Sequence, residues 1–456
     1  EMFDNQAEIF IRGINRGNGR FPYAYIIPTD PELQMDPLEA TDLVNQLIFH
    51  GVKVNEAPCS FKAGGTVYPR GTYVVLMNQP RSGLANTILW DGQNLSPPPD
   101  YGLNFPMYDI SGWNFPELWG VTVIPVESKF WAPLTPVWHA RYPRGEIEGR
   151  GWYGYALKGD TNNAIIMVNR LLDQGIKVYR TTEPFESQGV EFGVGTFIIP
   201  TKNFQTRWNV QKNAKSLHLT LYSINKVKVN MKLLEEPDVA LLYDSGIDPE
   251  SYGAAKFVLN SLEFHVNVLN YDDVREGALH AYDIVIVPDG WHEDIWNELG
   301  TDGQYELTNF IENGGTYLGY GEGGGALVNE AKFINATADL SGWYGGYNNG
   351  IVRLEYDPND PVSVYYPEEG YGFVFVPVWF EAGGGVEAPV KYASEDLLVA
   401  GWWPYYDVTA AGFDAVVRGE YGDGNVILMG IQPMFRAHPE FTFRLVANSI
   451  FFAAKA

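Results

Sequence analysis

The sequence predicts an α/β protein in which two copies of a small α/β module precede a domain built on an open, mostly parallel sheet. Motifs of the first half return at a constant spacing further along the chain, and from about residue 236 apolar strands alternate with amphipathic helices. The length of 456 residues, with 45% hydrophobic and 19% charged residues, is typical of a packed chain of about three domains. We divide the chain into a first module (1–95), a proline- and aromatic-rich connector with short strands (96–150), a second module (151–232) and a sheet domain (233–456).

The repeated module consists of a short apolar strand, an amphipathic helix ended by glycine, a second strand and a glycine-bounded β-hairpin whose last strand is apolar. Gly51 and Gly71 return as Gly175 and Gly195, each 124 residues later. In the first copy the apolar residues within 43–48 fall on one helical face, and Gly51 is expected to cap the helix at its carboxyl end.

The connector between the modules, in which we expect short strands, includes the segment Tyr108–Trp113, which has no hydrophobic periodicity that indicates a regular element. The connector also contains the proline run Ser96–Pro99 and the apolar stretch Gly120–Val123. We expect it to be an ordered link between the two modules.

The second half contains four apolar strands separated by amphipathic helices. The predicted strands are Val239–Tyr243, His265–Leu269, Asp283–Asp289 and Thr316–Tyr320. Helices are predicted through Ala254–Leu259 and Leu307–Glu312, and a final helix begins near Thr442, after a hairpin that turns near Gly422–Gly424. This alternation favours right-handed βαβ units in a parallel, flavodoxin-like sheet.

Ligands of such sheets bind beyond the carboxyl ends of the strands, so the turn after Tyr320 is the first place to look for chemistry. Gly319, Gly321 and Gly323 have the spacing of a nucleophile elbow, a sharp strand-to-helix turn that exposes its central residue. Because that residue is Gly321, the turn carries no attacking side chain. Gly323–Gly325 could hold an anion at the start of the next helix, although a structural turn explains the same glycines.

A second group of polar residues lies close to the carboxyl end of the chain. His438-Pro439-Glu440 could orient an imidazole against a carboxylate, but without a nucleophile the pair has nothing to activate. The same side chains could equally support the terminal helix. The candidate binding pocket, which contains no predicted catalytic residue, consists of Gly321, Glu322, Gly323, Arg436, His438 and Glu440.

The composition disfavours several classes of function. Acidic residues number 56 against 31 basic ones, and the net charge of −25 disfavours nucleic acid and anionic lipid as partners. The single cysteine, Cys59, forbids an intrachain disulfide and a cysteine-built metal site. The seven histidines are scattered, and only His292 adjoins a carboxylate, Glu293, from which we expect its side chain to diverge. We predict no metal, no cofactor and, since no apolar run reaches about 18 residues, no transmembrane segment.

Several stretches resemble one protein family. The segment Ala63–Val75, with Tyr108–Trp113, is similar to the region downstream of the catalytic domain in large secreted zinc carboxypeptidases of the carboxypeptidase A-like family. Gly424–Ala437 and Thr442–Leu445 resemble the close of the same proteins, and residues 236–330 resemble their class I glutamine amidotransferase-like domain. The resemblance covers nearly the whole chain and implies an extracellular or cell-surface location.

The resemblance does not bring an active site with it. The family's zinc site is a His-x-x-Glu followed by a distant third histidine, and neither this set nor the family's catalytic glutamate matches any part of the chain. The cysteine that amidotransferases carry at the elbow is replaced by Gly321, and His438-Pro439-Glu440 is similar to their His-x-Glu partner in its letters alone. Neither activity is therefore carried over.

The leading hypothesis is a non-catalytic extracellular scaffold that binds or self-assembles, with a second copy, a peptidase domain, a glycan or a peptide as candidate partner. In a second hypothesis the chain positions substrate for a zinc carboxypeptidase whose catalytic domain lies upstream of Glu1. A third retains a residual hydrolase with Glu322 and His438 as acid and base. The start at Glu1, without a signal peptide, leads us to expect a processed product, in which the sequons at Asn94 and Asn335 would be glycosylation candidates.

Overall fold

A computed structural model describes residues 2–96, 109–201, 203–340, 348–405 and 409–454 of the chain. These residues form two compact units. Unit 1 comprises residues 1–92 and 113–143, and unit 2 comprises residues 93–112 and 144–456. The four-segment division expected from the sequence stays a prediction, and Tyr108 and the prolines at 97–99 lie outside the described residues.

The elements are numbered in chain order. The helices are α1 (Met2–Ile14), α2 (Arg16–Gly19), α3 (Pro37–Phe49), α4 (Ser82–Leu89), α5 (Phe115–Trp119), α6 (Asn162–Asp173), α7 (Phe204–Ser216), α8 (Pro249–Ser261), α9 (Tyr271–Arg275), α10 (His292–Glu312), α11 (Val328–Ala331) and α12 (Phe443–Ala453). The strands of unit 1 are β1 (Ala24–Ile27), β2 (Val54–Glu56), β3 (Phe61–Ala63), β4 (Thr66–Tyr68), β5 (Tyr73–Leu76), β6 (Ile124–Val126) and β7 (Thr135–Val137).

Unit 2 contains the remaining strands. They are β8 (Glu146–Glu148), β9 (Gly154–Leu157), β10 (Val178–Thr181), β11 (Phe185–Ser187), β12 (Val190–Phe192), β13 (Phe197–Pro200), β14 (Thr220–Ile224), β15 (Met231–Leu234), β16 (Val239–Leu242), β17 (Val266–Leu269), β18 (Ile284–Val287), β19 (Thr316–Tyr320), β20 (Ala336–Asp339), β21 (Asn349–Tyr356), β22 (Glu369–Phe375), β23 (Trp379–Ala382), β24 (Val386–Tyr392), β25 (Leu398–Trp402), β26 (Asp414–Tyr421) and β27 (Gly424–Met429).

Unit 1 is an antiparallel sheet of order β6-β1-β5-β2-β7, with β3 and β4 forming a separate hairpin. Helix α3 packs on this sheet because its apolar residues share one face, and Leu43, Val44 and Leu47 are fully buried in the core. The helix begins where the Asp36 carboxylate accepts the first free backbone N–H groups. It ends before Gly51, whose φ of +78° confirms the predicted glycine cap.

The second module repeats the first in topology. Strands β9, β13 and β10 adjoin in the same antiparallel order as β1, β5 and β2, and hairpin β11–β12 lies 124 residues after hairpin β3–β4. The backbone N–H of Gly71 donates to Ala57 O at 2.9 Å, and the equivalent N–H of Gly195 donates to Thr181 O at 2.9 Å. These matching elements and hydrogen bonds confirm the predicted repeat.

The predicted connector contributes edge strands to both units. Strands β6 and β7 complete the sheet of unit 1, and each contains a proline, which an edge strand tolerates because one side of it needs no ladder hydrogen bond. Strand β8 pairs in parallel with β14 at the edge of a six-stranded sheet of order β15-β10-β13-β9-β14-β8.

The largest sheet of unit 2 has the predicted open parallel arrangement. Strands β17, β16, β18, β19 and β27 are parallel neighbours in this order, so the second strand of the domain precedes the first, as in flavodoxin-like sheets. The sheet continues antiparallel through β26, which forms the predicted hairpin with β27, and then through β24, β21 and β22, which have no counterpart among the predicted strands.

The predicted helices of this domain are present but longer than expected. Helix α8 begins at Pro249, where Asp248 caps it, and α10 begins at His292 and changes direction at Gly300, where φ is +63°. Helix α12 begins one residue after the expected start. On one face of the sheet, the core joins Val287, Tyr317 and Leu428 to apolar residues of α10. This packing fixes the carboxyl ends of β18 and β19, where the candidate site lies.

Candidate functional site

The turn after β19 has the sharp geometry that the glycine spacing predicts. The backbone leaves Tyr320 extended, passes through Gly321 at a φ of +66° and enters a single wide helical turn over Gly321–Gly325. A positive φ strains any residue with a Cβ, so the position favours glycine. All five residues of the turn are buried.

This turn has no room for a side chain at its central position. A Cβ built on Gly321 would lie 2.5 Å from Oδ1 of Asp289 and 2.6 Å from Nε2 of Gln432. The same construction on Gly323 would lie 2.3 Å from the backbone nitrogen of Gly290. The place where an elbow would present a nucleophile is therefore filled by other groups of the protein.

Asp289, two residues after β18, is the centre of this filling network. Its carboxylate accepts the backbone N–H of Gly290 at 2.8 Å, the backbone N–H of Gly323 at 3.0 Å and the amide of Gln432 at 2.5 Å. Removal from water raises the pKa of Asp289 to about 6, although the three donated hydrogen bonds favour the ionised form. Since the N–H of Gly323 is used here and that of Gly324 donates to Pro288 O at 3.0 Å, these two donors are not available to an external anion.

A small cleft of about 70 Å³ opens beside this network, beyond the carboxyl ends of the strands. The Ser251 hydroxyl, in the first turn of α8, donates to the Tyr320 hydroxyl at 3.2 Å and accepts the backbone N–H of Asp289 at 3.1 Å. The serine is thus committed to positioning the loop. The residues lining the cleft are Asp248, Glu250, Ser251, Asp289, Tyr320, Phe375, Gln432, Met434, Phe435 and Arg436.

Arg436 is a predicted site residue that lies at this cleft. Its backbone φ of +49° turns the chain, and its guanidinium lies over the Phe435 ring at 5.0 Å from the centroid. The guanidinium also donates to Glu250 at 3.2 Å and to Asp109 at 3.3 Å. About two-fifths of the side chain is exposed, so this part of the cleft rim is charged and wet.

His438 and Glu440 lie in the tight turns that lead from Arg436 into α12. The backbone N–H of His438 donates to Phe435 O and that of Glu440 donates to His438 O, each at 2.9 Å. The Glu440 carbonyl accepts the side-chain amide of Asn162 at 3.1 Å. In this position their backbones prepare the start of the terminal helix.

Glu322 lies beside a histidine that the sequence did not associate with it. The distance from its Oε1 to Nδ1 of His292 is 3.6 Å, longer than a hydrogen bond, and both side chains are about nine-tenths buried. The carboxylate raises the pKa of His292 by favouring the imidazolium. Glu322 therefore acts electrostatically on the first residue of α10.

Two clusters of the described residues bring metal-ligating atoms together. One ligand atom each from His292, Glu293 and Glu330 lie within 4.8 Å of one another, so the expectation that His292 and Glu293 diverge is wrong. His292 and Glu293 lie in the first turn of α10, and Glu330 lies in α11, so this cluster forms where the two helices approach each other. The second cluster is exposed and consists of Asp173, Glu236 and His265. An imidazole with two carboxylates could hold a divalent cation, although exposed acidic groups also gather without one.

Sequence reasoning missed Asp289, Ser251 and Gln432. A signal for the first was present, because Asp289 ends the predicted strand Asp283–Asp289 and the carboxyl ends of parallel strands meet at one edge. No local pattern identifies Ser251 or Gln432, whose positions depend on how α8 and the segment after β27 pack.

No family model matches the chain, and no curated protein matches it. Among solved structures, a ThuA-like protein of Bacteroides uniformis is 13% identical with a TM-score of 0.34, over 50% of this chain and 95% of that one. A glutamine amidotransferase of Thermotoga maritima is 12% identical with a TM-score of 0.30, over 43% of this chain and 76% of that one. A β-galactosidase of Bacillus circulans is 12% identical with a TM-score of 0.31, over 55% of this chain and 35% of that one.

The open, flavodoxin-like sheet of this chain is established by its own strand order. Among the helices of the described residues, none has the length and hydropathy needed to cross a bilayer.

Proposed function

We propose that the chain is a non-catalytic extracellular scaffold that binds or assembles with partners, and that it is related to the carboxyl-terminal region of zinc carboxypeptidase-like proteins. The observation that carries the proposal is the filled elbow. Asp289 and Gln432 occupy the space that a nucleophile at position 321 would need. A turn with neither a nucleophile nor room for one cannot support covalent catalysis, which leaves binding or assembly as the role we propose.

The aromatic surface supports a binding role. Trp131, Trp138 and Trp152 are 83%, 87% and 69% exposed. A tryptophan ring in water is costly unless a partner covers it, and large exposed aromatic residues are enriched where proteins or sugars dock. The net charge of −25 keeps such a surface from associating without specificity.

Native mass spectrometry of the full chain tests this proposal, with oligomers or stable complexes as the expected result. The measurement is made alone and with a secreted zinc carboxypeptidase domain, a peptide mixture and neutral oligosaccharides. A strictly monomeric chain that binds none of these would contradict a scaffold role.

The second candidate function is accessory to catalysis, and the sequence resemblance favours it. In this role the chain positions substrate for a zinc carboxypeptidase domain upstream. Peptide hydrolysis by such a domain, measured with and without the chain, is expected to differ in KM. Identical kinetic constants would remove this alternative.

A further inference from the structure

Unit 1 contains a large open cleft that the sheet-end site does not involve. Its volume is about 790 Å³, within the range of clefts that hold ligands. Glu56, Tyr73, Trp138, His139 and Arg141 are among its lining residues, and every lining residue belongs to unit 1. Trp138 stands at its rim with most of its ring surface in water.

The internal repeat identifies the same place in the second module. Glu56 and Gly71 of the first cleft correspond to Arg180 and Gly195, each 124 residues later. Val137, which pairs with Val54 in unit 1, corresponds to Leu234, which pairs with Val178. Arg180, Gly195 and Leu234 line a cavity of about 180 Å³, much smaller than the first.

The second cavity is smaller because other parts of the chain cover it. Pro361, Val364 and the end of α12 form its far wall. A Cβ on Gly195 would lie 2.7 Å from Val364, whereas a Cβ on Gly71 would have a single neighbour within 4 Å, the Thr29 hydroxyl at 3.3 Å. One copy of the cleft is therefore partly filled by polypeptide, and the other copy is open.

The segments that cover the second cavity place hydrogen-bond acceptors beside Arg180. Its guanidinium donates to the side-chain oxygen of Asn448 at 2.6 Å, to the Asn448 carbonyl at 3.3 Å and to the Pro361 carbonyl at 3.4 Å. Arg180 is buried, so these acceptors replace most of the water that the guanidinium loses, although its Nε has no hydrogen-bond partner. The residue at this position thus recognises the segment that fills the cleft.

In unit 1 the charge at this position is reversed. Glu56 stands in place of Arg180, and among the described residues it forms no ion pair, nor does Arg141 on the same cleft. A carboxylate requires a donor where a guanidinium requires an acceptor. An occupant of the open cleft should therefore present a cation to Glu56 and an oxygen acceptor to Arg141. The exposed Trp138 ring on the same cleft offers a cation a further favourable contact.

We propose that the open cleft of unit 1 binds a polypeptide segment of a partner protein, and that this segment presents a lysine or arginine to Glu56. The inference goes beyond the scaffold role, since it holds whether or not the sheet-end turn is catalytic. The covered copy of the cleft indicates that the occupant is a polypeptide. The replacement of Arg180 by Glu56 indicates that this polypeptide carries a positive charge there.

A positional-scanning library of acetylated hexapeptides, bound to the full chain and read by fluorescence polarisation, tests the proposal. We expect enrichment of lysine or arginine at one position. Glu56→Gln should weaken binding of the enriched peptides about tenfold or more, and Glu56→Arg should shift the preference to acidic peptides. Glu32→Gln, which removes an exposed carboxylate elsewhere in unit 1, should leave binding unchanged.

Trp138→Ala provides a second variant in case Glu56 substitutions impair folding, because the ring is 87% exposed and contributes little to the core. It should weaken peptide binding about threefold or more. Binding that is unaffected by both substitutions, or no peptide binding at millimolar concentration, would overturn the proposal. It would equally be overturned if a neutral hexasaccharide bound in a Trp138-dependent manner while peptides did not, or if a second copy of the chain proved to be the occupant.

Discussion

The Asp289 carboxylate lies where a side chain on Gly321 would have to be, with only 2.5 Å between its Oδ1 and the position of a Cβ. Real Cβ atoms do not approach an oxygen this closely. The Asp289 carboxylate therefore excludes any residue larger than glycine at position 321. A nucleophile at 321 would require Asp289 and Gln432 to move, and the carboxylate would lose the backbone donors that hold it.

Gly321→Ala is expected to destabilise unit 2 by about 2–5 kcal/mol. The positive φ costs roughly 1–2 kcal/mol for a residue with a Cβ, and overpacking adds about 1–3 kcal/mol. Urea denaturation followed by tryptophan fluorescence measures the change. Gly253→Ala is the matched control, because this helical glycine has nothing within 4 Å of its Cβ position. This substitution should stabilise the folded chain by about 0.5–1 kcal/mol. Equal effects of the two substitutions would contradict the filled elbow.

Asp289 should make the stability of unit 2 fall as pH rises from about 4 to about 6. Its pKa is raised to about 6 in the folded chain, so the folded state holds the proton more tightly than the unfolded state over this interval. The stabilisation present at low pH is lost as the carboxyl ionises, by roughly 3 kcal/mol at most. The difference between wild type and Asp289→Asn isolates this contribution. Parallel pH profiles for the two proteins would show that Asp289 has an ordinary pKa.

The raised pKa of His292 should depend on Glu322. Because the two side chains are buried together, the carboxylate favours the imidazolium, and Glu322→Gln should lower the pKa of His292 toward its usual value. An NMR titration of the imidazole ring protons measures this directly. Glu420→Gln, an exposed substitution on β26, serves as control. An unchanged His292 pKa in Glu322→Gln would place the cause elsewhere.

The two copies of the repeated glycine should respond differently to the same substitution. Gly71→Ala and Gly195→Ala share a positive φ, of +92° and +81°, and so share the backbone strain. In Gly195→Ala the new methyl group also meets Val364, which should cost about 1–3 kcal/mol more. Chemical denaturation of both variants, with Val364→Ala combined with Gly195→Ala, measures the difference. If Val364→Ala did not restore stability to Gly195→Ala, Val364 would not be the group that covers the second cleft.

The repeat and the parallel strands could be predicted from the sequence because both depend on local patterns. Gly51 follows α3 and Gly71 lies in the turn before β5, both with a positive φ, so they return at the same spacing as the elements they adjoin. Buried parallel strands such as β18 are apolar on both faces and stand out as continuous runs. These features need no knowledge of distant contacts.

The edge strands and the antiparallel extension could not be predicted in the same way. Strands β6 and β7 are three residues long and contain Pro125 and Pro136, so neither shows alternation or an apolar run. Their pairing is decided by strands β1 and β2, which are distant in sequence.

The turn of the candidate site, Arg436 and Glu322 were predicted, but most of the side chains around the turn were missed. Glycine spacing identifies the turn at Gly321, because the turn itself requires those glycines. The neighbours of the turn come from separate elements. Asp289 follows β18, Ser251 lies on α8 and His292 begins α10, so their meeting with β19 is decided by tertiary packing alone.

Because Asp289 and Gln432 fill the space that a nucleophile at position 321 would need, we expect the chain not to hydrolyse amides or esters at the sheet-end turn. Steady-state assays of the full chain on glutamine, p-nitrophenyl acetate and an acylated dipeptide test it most directly, with Glu322→Gln as the paired variant. We predict product formation at the rate of buffer alone for both proteins. Turnover by the wild type that is lost in Glu322→Gln would contradict the claim and identify a working active site beside Gly321.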